Sequence, residues 1–255
     1  MKKNKQPIKW LNILAPLALL VFIVAALEIY VAASGISAKI LPAPHIILQK
    51  LVSTFRRDLL TDTLFTLRVI LIGYLIAIPS GILLAAICSQ FKLFNGIVSP
   101  LIVILVVTPM ITIVPLLMIW LGFSIKVRLI VVIFMAMPII ALNTMTGFRN
   151  VEQQKLELFR AMGANRFQTF VKLIFPNALP QVFTGLKLGC IFSTISAMSA
   201  DLAIGKDGLG SKISSYSGLL NIEMTYGTII IVGLIGIILF EIVAQIEKRV
   251  IVWIK

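Results

Sequence analysis

Long apolar runs separated by shorter polar segments make up most of this chain. Six runs are long enough to cross the hydrocarbon core of a bilayer, for which about 20 apolar residues suffice. Because backbone groups in lipid must form their hydrogen bonds internally, each run is predicted to be an α-helix. The predicted spans are residues 10–33, 63–89, 96–120, 129–148, 181–200 and 227–250.

The third predicted span is interrupted by prolines. Pro100, Pro109 and Pro115 all lie inside it. A proline in a helix interior removes one backbone hydrogen bond, and its ring clashes with the preceding turn. Sharp helix kinks are most often found at such residues. We therefore expect the third span to be kinked or broken.

Two of the polar segments are predicted to lie on the outer side of the membrane. Residues 34–62 contain Pro42 and Pro44 and then an amphipathic stretch at 45–60, which indicates a loop that ends in a short surface helix. Residues 201–226 are rich in Gly and Ser and are predicted to form an outer segment. Within it, residues 205–212 are interpreted as a flexible loop.

The composition excludes a soluble domain. The chain is 59% hydrophobic and 13% charged, with a mean hydropathy of +1.05. Its formal net charge of +13 comes from 23 Lys and Arg against 10 Asp and Glu. Basic residues gather in loops and at both ends, which is typical of the cytoplasmic side of membrane proteins rather than of nucleic-acid binding. Both termini are therefore predicted to be cytoplasmic. The terminal basic residues are Lys2, Lys3, Lys5 and Lys9, and Lys248, Arg249 and Lys255.

The chain offers little material for enzymatic chemistry. Cys88 and Cys190 lie inside apolar runs and are interpreted as small apolar side chains. His45 is the only histidine, which excludes a histidine-based metal cluster and a Ser-His-Asp triad within this chain. Residues 205–212 read GKDGLGSK, but this order differs from the phosphate-binding pattern G-x-x-x-x-G-K-[ST]. No catalytic, metal or nucleotide site is predicted.

The segment between the fourth and fifth spans, residues 149–180, is polar and amphipathic. A helix is predicted at 151–162, ended by Gly163 in a left-handed conformation. A second helix is predicted at 166–174 and stopped by Pro176. Two short helices at an angle would form a compact knob with apolar anchors and a charged rim. Such a knob either docks in a groove of a partner protein or lies on the inner leaflet.

The spacing within this segment resembles a known pattern. Glu157-Leu-Phe is followed after three residues by Gly163, and nine residues later by Leu173-Ile-Phe-Pro176. The cytoplasmic EAA loop of ATP-binding-cassette (ABC) importer permeases has the pattern E-A-A, three residues, G, nine residues, I-x-L-P. The spacing matches, whereas the residue types at 158, 159, 173 and 175 differ. By this resemblance the loop would fit into a separate ATPase subunit. The residues implied are Glu157, Leu158, Phe159, Arg160, Ala161, Met162, Gly163, Ala164 and Pro176.

The resemblance extends to both sides of this loop. Residues 183–187 read FTGLK, Ala200-Asp201 follows, and residues 207–210 read DGLG. This run looks like permeases of the nitrate, sulfonate, taurine and pyrimidine-precursor importers, whose usual residue at position 201 is Glu. Residues 41–44, LPAP, resemble the first outer segment of the same family.

The resemblance implies a fold. It is that of an all-α polytopic membrane protein with the molybdate-type (type I) ABC importer permease architecture. Residues 1–255 would form a single transmembrane domain, and residues 149–180 would be the cytoplasmic coupling loop within it.

The resemblance also implies a function and partners. The chain would be the permease subunit of an ATP-driven importer in the bacterial inner membrane, and it would work as a homodimer. Two ATPase subunits would hold ATP and Mg²⁺, and an extracytoplasmic solute-binding protein would deliver the solute. The chain itself would be no enzyme, hold no cofactor, contact membrane lipid and bind no nucleic acid. The implied solute is a nitrate-, sulfonate- or taurine-like anion, or a pyrimidine or thiamine precursor.

A row of small residues along the fifth span has two interpretations. Its members recur every three or four residues from Gly185 to Ala200, so they share one helix face. Such a row allows close helix packing, or its hydroxyl groups line a pathway for a polar solute. Asp201, next to the row, is either a solvated helix end, which is the commoner case, or part of an ion relay. The candidate pathway residues are Gly189, Ser193, Ser196, Ser199 and Asp201.

Two other functions stay open on the sequence. A stand-alone secondary transporter or channel would be expected to show internal repeats and buried ion ligands. A membrane scaffold would use the same knob to dock a soluble partner, but it would not need hydroxyl groups and proline-broken helices in its interior.

Overall fold

The computed structural model describes residues 11–37 and 40–253, and its regular elements there are all helices. This confirms the predicted all-α class. The basic residues Lys2, Lys3, Lys5, Lys9 and Lys255 lie outside the described residues. The helices are α1 (Leu11–Ser34), α2 (Pro44–Thr54), α3 (Leu60–Gln90), α4 (Lys92–Val107), α5 (Met110–Leu121), α6 (Ile125–Arg149), α7 (Gln153–Ala161), α8 (Arg166–Thr169), α9 (Phe175–Ile204), α10 (Leu209–Gly218) and α11 (Ile222–Val250).

Helices stand at all six predicted span positions. Among the described residues, four helical stretches are long and apolar enough to cross a membrane, and the bent pair of α4 and α5 makes a fifth if it counts as one span. α1 occupies the first predicted position, and its stretch Ala18–Ser34 belongs to the shorter apolar helices. The four long stretches are Pro44–Gln90, Ile125–Arg149, Arg166–Ile204 and Ile222–Val250.

The third span is broken at a proline, as predicted. α4 and α5 meet at an angle of 96°, and Pro109 caps the start of α5 in an extended conformation. Two threonines satisfy carbonyl groups at the break, because the hydroxyls of Thr108 and Thr112 donate to the carbonyls of Ile104 and Pro109, each at 2.7 Å. Such partners allow an irregular backbone at membrane depth.

The centre of the bundle is α6, which lies between α3 and α9. In α6 and in the stretch Arg166–Ile204, half of the most apolar segment is buried within the chain. In α11, the buried share of the most apolar segment is 11%. The described side chains of α1 are nearly all exposed. α6 and α9 therefore form the core, and α1 and α11 are peripheral in a single copy of the chain.

α6 approaches both neighbours closely because they present glycines to it. A Cβ atom added to Gly81 of α3 would lie 2.8 Å from the carbonyl oxygen of Met137 and 3.0 Å from Ile140. On the other side, a Cβ atom added to Gly189 of α9 would lie 2.8 Å from Cγ1 of the same Ile140. Ile140 is fully buried. Small residues thus set the distance between the three central helices.

The segment before α3 continues into the span and is not a separate surface helix. α2 passes through a π-helical turn, Phe55–Leu59, directly into α3, so that Pro44–Gln90 is one helical stretch of 47 residues. A π turn inserts a residue into a helix without ending it. Leu59, at the end of the turn, is fully buried, and its packing stabilises the junction between α2 and α3. The predicted boundary between surface helix and span is therefore wrong.

Pro176 does not stop a helix either, contrary to the prediction. Arg166–Ile204 is one helical stretch of 39 residues, and Pro176 lies in the first turn of α9. A second π turn, Phe170–Ile174, comes directly before it, with the N–H of Phe175 donating to the carbonyl of Phe170. The backbone has thus left the α-helical register where a proline ring would otherwise clash. The fifth span accordingly begins well before residue 181.

We expect Gly81→Ala to lower the melting temperature of the purified protein by several degrees. The added methyl group would meet the Met137 carbonyl, which cannot move without shifting α6, and such overpacking costs about 1–3 kcal/mol. Gly96→Ala is the matched control, since Gly96 lies in α4 with no side chain or other helix within 4 Å of an added Cβ. Equal melting temperatures for the two variants, measured by thermal unfolding in detergent, would contradict the close α3–α6 contact.

Candidate functional site

The α7–α8 loop, residues 150–175, is the predicted knob, and its first turn is built by Gly163. α7 ends in a Schellman motif, in which the N–H of Gly163 donates to Arg160 and that of Ala164 donates to Phe159, both at 3.0 Å. Gly163 has a φ of +74°, which glycine adopts without strain. This confirms the predicted left-handed end of the helix.

The second half of the loop begins with a capping box. The side chain of Asn165 accepts from the N–H of Gln168 at 2.8 Å, and the side chain of Gln168 accepts from the N–H of Asn165 at 2.9 Å. This capping box is not among the features predicted above. A capping residue followed three positions later by Gln is a recognisable signal for a helix start. Both ends of the turn between α7 and α8 are therefore fixed.

The loop exposes apolar side chains and buries none. Neither α7 nor α8 contains a buried residue. Leu158 is 58% exposed and Met162 is 73% exposed. Phe159 and Ala164 are half-buried, whereas Ala161 is exposed. An apolar surface on a polar element is thus left without a partner within the described part of the chain.

The charged side chains of the loop surround this apolar surface. Glu157 accepts a hydrogen bond from Gln153 at 3.1 Å, and Lys155 pairs with Glu152 at 3.0 Å. Arg160 and Arg166 are exposed, and neither forms an ion pair with another described residue. The loop is therefore rigid, cationic and apolar at once.

The foot of the loop is anchored by three aromatic rings. Phe148 at the end of α6 packs edge-on against Phe170, with ring centroids 5.2 Å apart, and lies 6.3 Å from Phe175. Arg149 donates to Asn95 of α4 at 2.7 Å. The ring contacts join the loop to α6 and α9, and the Arg149 hydrogen bond joins the adjacent end of α6 to α4.

The row of small residues on α9 faces the helix packing. Gly185 lies against Ile140 and Asn143 of α6. All five members of the row are buried, namely Gly185, Gly189, Ser193, Ser196 and Ala200. The hydroxyls of Ser193 and Ser196 donate to the carbonyls of Gly189 and Ser193 in the same helix. The structure thus supports the close-packing interpretation for this row. Ser199, one of the five candidate pathway residues, lines a groove between α9 and α11.

Asp201 is fully buried, so its interpretation as a solvated helix end is wrong. Its Oδ1 accepts from Nε of Arg128 at 2.7 Å, and the two side chains are 0% and 1% exposed. Its Oδ2 accepts from the hydroxyl of Thr66 at 2.7 Å. A carboxylate taken out of water needs such partners. Asp201 therefore ties α9 to α3 and α6.

The same cluster holds the turn between α9 and α10. Thr66 accepts from the N–H of Leu209 at 2.9 Å, and Arg128 donates to the carbonyl of Asp207 at 3.1 Å. Asp62 accepts from the N–H of Gly208 at 2.8 Å. Gly208 has a φ of +92°, and a Cβ there would clash with the carboxylate of Asp201. Glycine is thus required twice over at this position.

The interpretation of residues 205–212 as a flexible loop is therefore wrong. Residues 209–218 form α10, whose first residues are buried. The reason is long-range: the glycines that suggested flexibility allow the turn to approach Asp201. Arg128 and Thr66 were not singled out as site residues in the sequence. An arginine at the edge of an apolar run is a signal for such a buried partner.

No metal centre accompanies these sites in the described residues, where no group of three or more His, Cys, Asp or Glu could hold an ion.

Residues 77–252 match the family described as "Binding-protein-dependent transport system inner membrane component". This range includes the α7–α8 loop, α9 and the Arg128–Asp201 pair. The chain belongs to this family. It is the membrane-spanning permease of an import system.

Individual relatives of the permease agree with this assignment. The formylaminopyrimidine transport permease of Halalkalibacterium halodurans is 28% identical over 226 residues, covering 86% of this chain and 90% of that protein. The nitrate import permease of Leptolyngbya laminosa is 28% identical over 187 residues, covering 73% and 67%.

A solved structure confirms the fold. A chain of the MetNI methionine ABC transporter in inward-facing conformations superposes with a TM-score of 0.63 at 22% identity, covering 75% of this chain and 95% of that one. The permease thus has the predicted type I ABC importer fold.

We expect Arg128→Met and Asp201→Leu each to destabilise the permease severely. Either change leaves an unpaired buried charge, which costs about 3–5 kcal/mol. The double variant should be more stable than either single variant, because no charge is then left unpaired. Glu152→Gln is the control, since it breaks an exposed pair worth about 0–1 kcal/mol. If the single variants unfolded at the same temperature as the control, the stabilising role of the buried Arg128–Asp201 pair would be contradicted.

Proposed function

We propose that this permease is driven by a separate ATPase and that the α7–α8 loop is the part that docks on it. The observation that supports this most directly is the pair of exposed apolar side chains, Leu158 and Met162, on a loop without buried side chains. Exposed apolar groups within a charged rim are typical of protein interfaces. The EAA-like spacing around Gly163 points to the same partner.

The two helix caps suit the loop to docking. The Schellman turn at Gly163 and the capping box at Asn165 set the angle between α7 and α8 before any partner binds. A preorganised surface loses less conformational entropy on association than a flexible one. Full burial of Leu158 and Met162 would contribute about 1.5–3 kcal/mol each. A loop lying on the inner leaflet would use the same side chains, and the first experiment below separates the two cases.

Movement of the docked loop would reach the far side of the membrane through a single helix. The stretch Arg166–Ile204 is continuous, and it is held near Phe148 at one end and by Asp201 at the other. In the proposed cycle, ATP and Mg²⁺ bind to two ATPase subunits, whose closure draws two loops together. This closure shifts the permease towards a state open to the outside. The permease itself supplies neither nucleotide site nor cofactor and is no enzyme.

A second copy of the chain is proposed to pack against α9 and α11. A groove of about 480 Å³ opens between these helices and is lined in part by Ser199, Gly233 and Gly236. An added Cβ on Gly233 would meet nothing within 4 Å, so a helix of another subunit could approach closely there. Ser199 would then face the pathway between the copies. The buried members of the predicted set, Gly189, Ser193, Ser196 and Asp201, would shape it from within the helix packing.

The proposal places the loop and both termini in the cytoplasm, within one domain of residues 1–255 in the bacterial inner membrane. An extracytoplasmic binding protein would deliver the solute on the opposite side. The relatives named above carry a pyrimidine derivative and nitrate. We accordingly propose a small anion or a pyrimidine or thiamine precursor as the solute.

Leu158→Asp and Met162→Asp should each abolish co-purification of an ATPase from the native host. A carboxylate at either position would be buried unpaired in the docked state, and recovery should fall at least about tenfold. Leu219→Asp is the matched control, because Leu219 is a similarly exposed apolar residue (78%) on the α10–α11 turn. Undiminished ATPase recovery with both loop variants would contradict docking by the loop. It would instead fit a leaflet-bound α7.

Gly163→Pro should abolish ATP-dependent uptake while leaving membrane insertion normal. Proline cannot adopt a φ of +74°, and it removes the N–H that donates to Arg160. Gly163→Asn is the control, because asparagine tolerates the left-handed conformation and should keep most of the uptake. Uptake would be followed with radiolabelled solutes in cells expressing each variant equally. Normal uptake by Gly163→Pro would show that this turn does not transmit force.

A further inference from the structure

A continuous apolar groove runs along the outside of α3 next to the α8–α9 junction, and no function above uses it. One part, of about 410 Å³, is lined by residues near the end of α3 and by α8. The other part, of about 510 Å³, extends further along α3 past Pro79. The two parts meet at Ala86 and Phe170, which line both. Arg166 and Phe167 of α8 line the groove, but Leu158 and Met162 do not, so it lies beside the apolar side chains proposed to dock on the ATPase.

One end of this groove is polar and cationic. Gln90 and Arg166 line it there, and the guanidinium of Arg166 has no hydrogen-bond or ion-pair partner among the described residues. No acidic side chain lines either part of the groove. Two aromatic rings flank this end, with Phe91 63% and Phe167 75% exposed. Aromatic side chains are common at the membrane–water interface.

The groove is about as long as one membrane leaflet is thick. It follows α3 from Gln90 to Ile78, which at 1.5 Å per residue is about 18 Å. Half of the hydrocarbon core of a bilayer measures about 15 Å. A groove of this length, with Arg166 at one end and apolar walls along the rest, could reach from the membrane surface along one leaflet. This combination matches an amphiphile with an anionic head and a hydrocarbon tail.

We propose that this groove binds an anionic phospholipid from the leaflet on the side of the α7–α8 loop. The phosphate group would accept hydrogen bonds from Arg166, whose planar guanidinium suits two-point contact with phosphate oxygens. One acyl chain would lie over Ala86 and Phe170 towards Pro79. Basic pockets between transmembrane helices bind lipid headgroups in this way. The name of the leaflet, cytoplasmic, and the link to coupling rest on the proposed function.

A bound lipid would act on the foot of the α7–α8 loop. Phe170 lines the groove and also packs edge-on against Phe148 of α6. An acyl chain in the groove would therefore support the ring that anchors the loop. The lipid would be a structural ligand of the coupling machinery and not a transported solute.

The test is native mass spectrometry of the full chain, together with any subunits that co-purify, after exchange into nanodiscs of equal parts phosphatidylglycerol and phosphatidylcholine. The wild-type protein, once released from the nanodiscs, should carry bound phosphatidylglycerol in preference to phosphatidylcholine. Arg166→Gln should lower retained phosphatidylglycerol about tenfold, the effect of losing one charge-assisted contact. Ala86→Leu, which fills the groove, should lower retention of both lipids. Arg249→Gln removes the same charge from an exposed position at the end of α11, outside the groove, and it should leave lipid retention unchanged.

Three results would overturn the proposal. Equal loss with Arg166→Gln and Arg249→Gln would mean that retention follows net charge alone. Full retention in Ala86→Leu would mean that Arg166 holds a phosphate without the groove. Equal retention of the two lipids by the wild type would remove the headgroup preference. Because Arg166 is exposed, its variant tests the site even if Ala86→Leu folds poorly, and bound lipid is read independently of ATPase docking.

Discussion

The contact of Ile140 with glycines on both sides is the constraint on which the rest of this permease depends. In lipid, helices gain no hydrophobic stabilisation from meeting one another, so they associate by close van der Waals packing. Gly81 on one side and Gly185 and Gly189 on the other allow α3, α6 and α9 to reach that distance. Every functional element described above is attached to one of these three helices.

The two ends of α9 are fixed in different ways, and the difference suits their tasks. At one end, Asp201 is held by charged and hydrogen-bonded partners from α3 and α6, which fix direction as well as distance. At the other, Phe170 and Phe175 are held by ring packing, which tolerates small sliding. The Asp201 end of α9 is thus held rigidly, and the Phe175 end, near the loop, is the one able to shift.

Local features were predictable from the sequence, and long-range ones were not. The apolar runs, the break at Pro109 and the left-handed turn at Gly163 follow from rules that act within a few residues. The burial of Asp201 depends on Arg128 and Thr66, which are distant in sequence, so no local pattern reveals it. The continuity of α8 with α9 was missed because proline rules assume a regular α-helix, whereas the chain places a π turn there.

That π turn has a geometric consequence for the whole molecule. A π turn holds one residue more than an α-helical turn, and one residue corresponds to about 100° of rotation around the helix axis. The direction in which Leu158 and Met162 point, relative to the α9 face that packs on Ile140, therefore depends on this single added residue. The π turn therefore helps to set how far the loop is rotated, about the helix axis, relative to the packed face of α9. The π turn at Phe170–Ile174 thus contributes to their relative angle through the backbone.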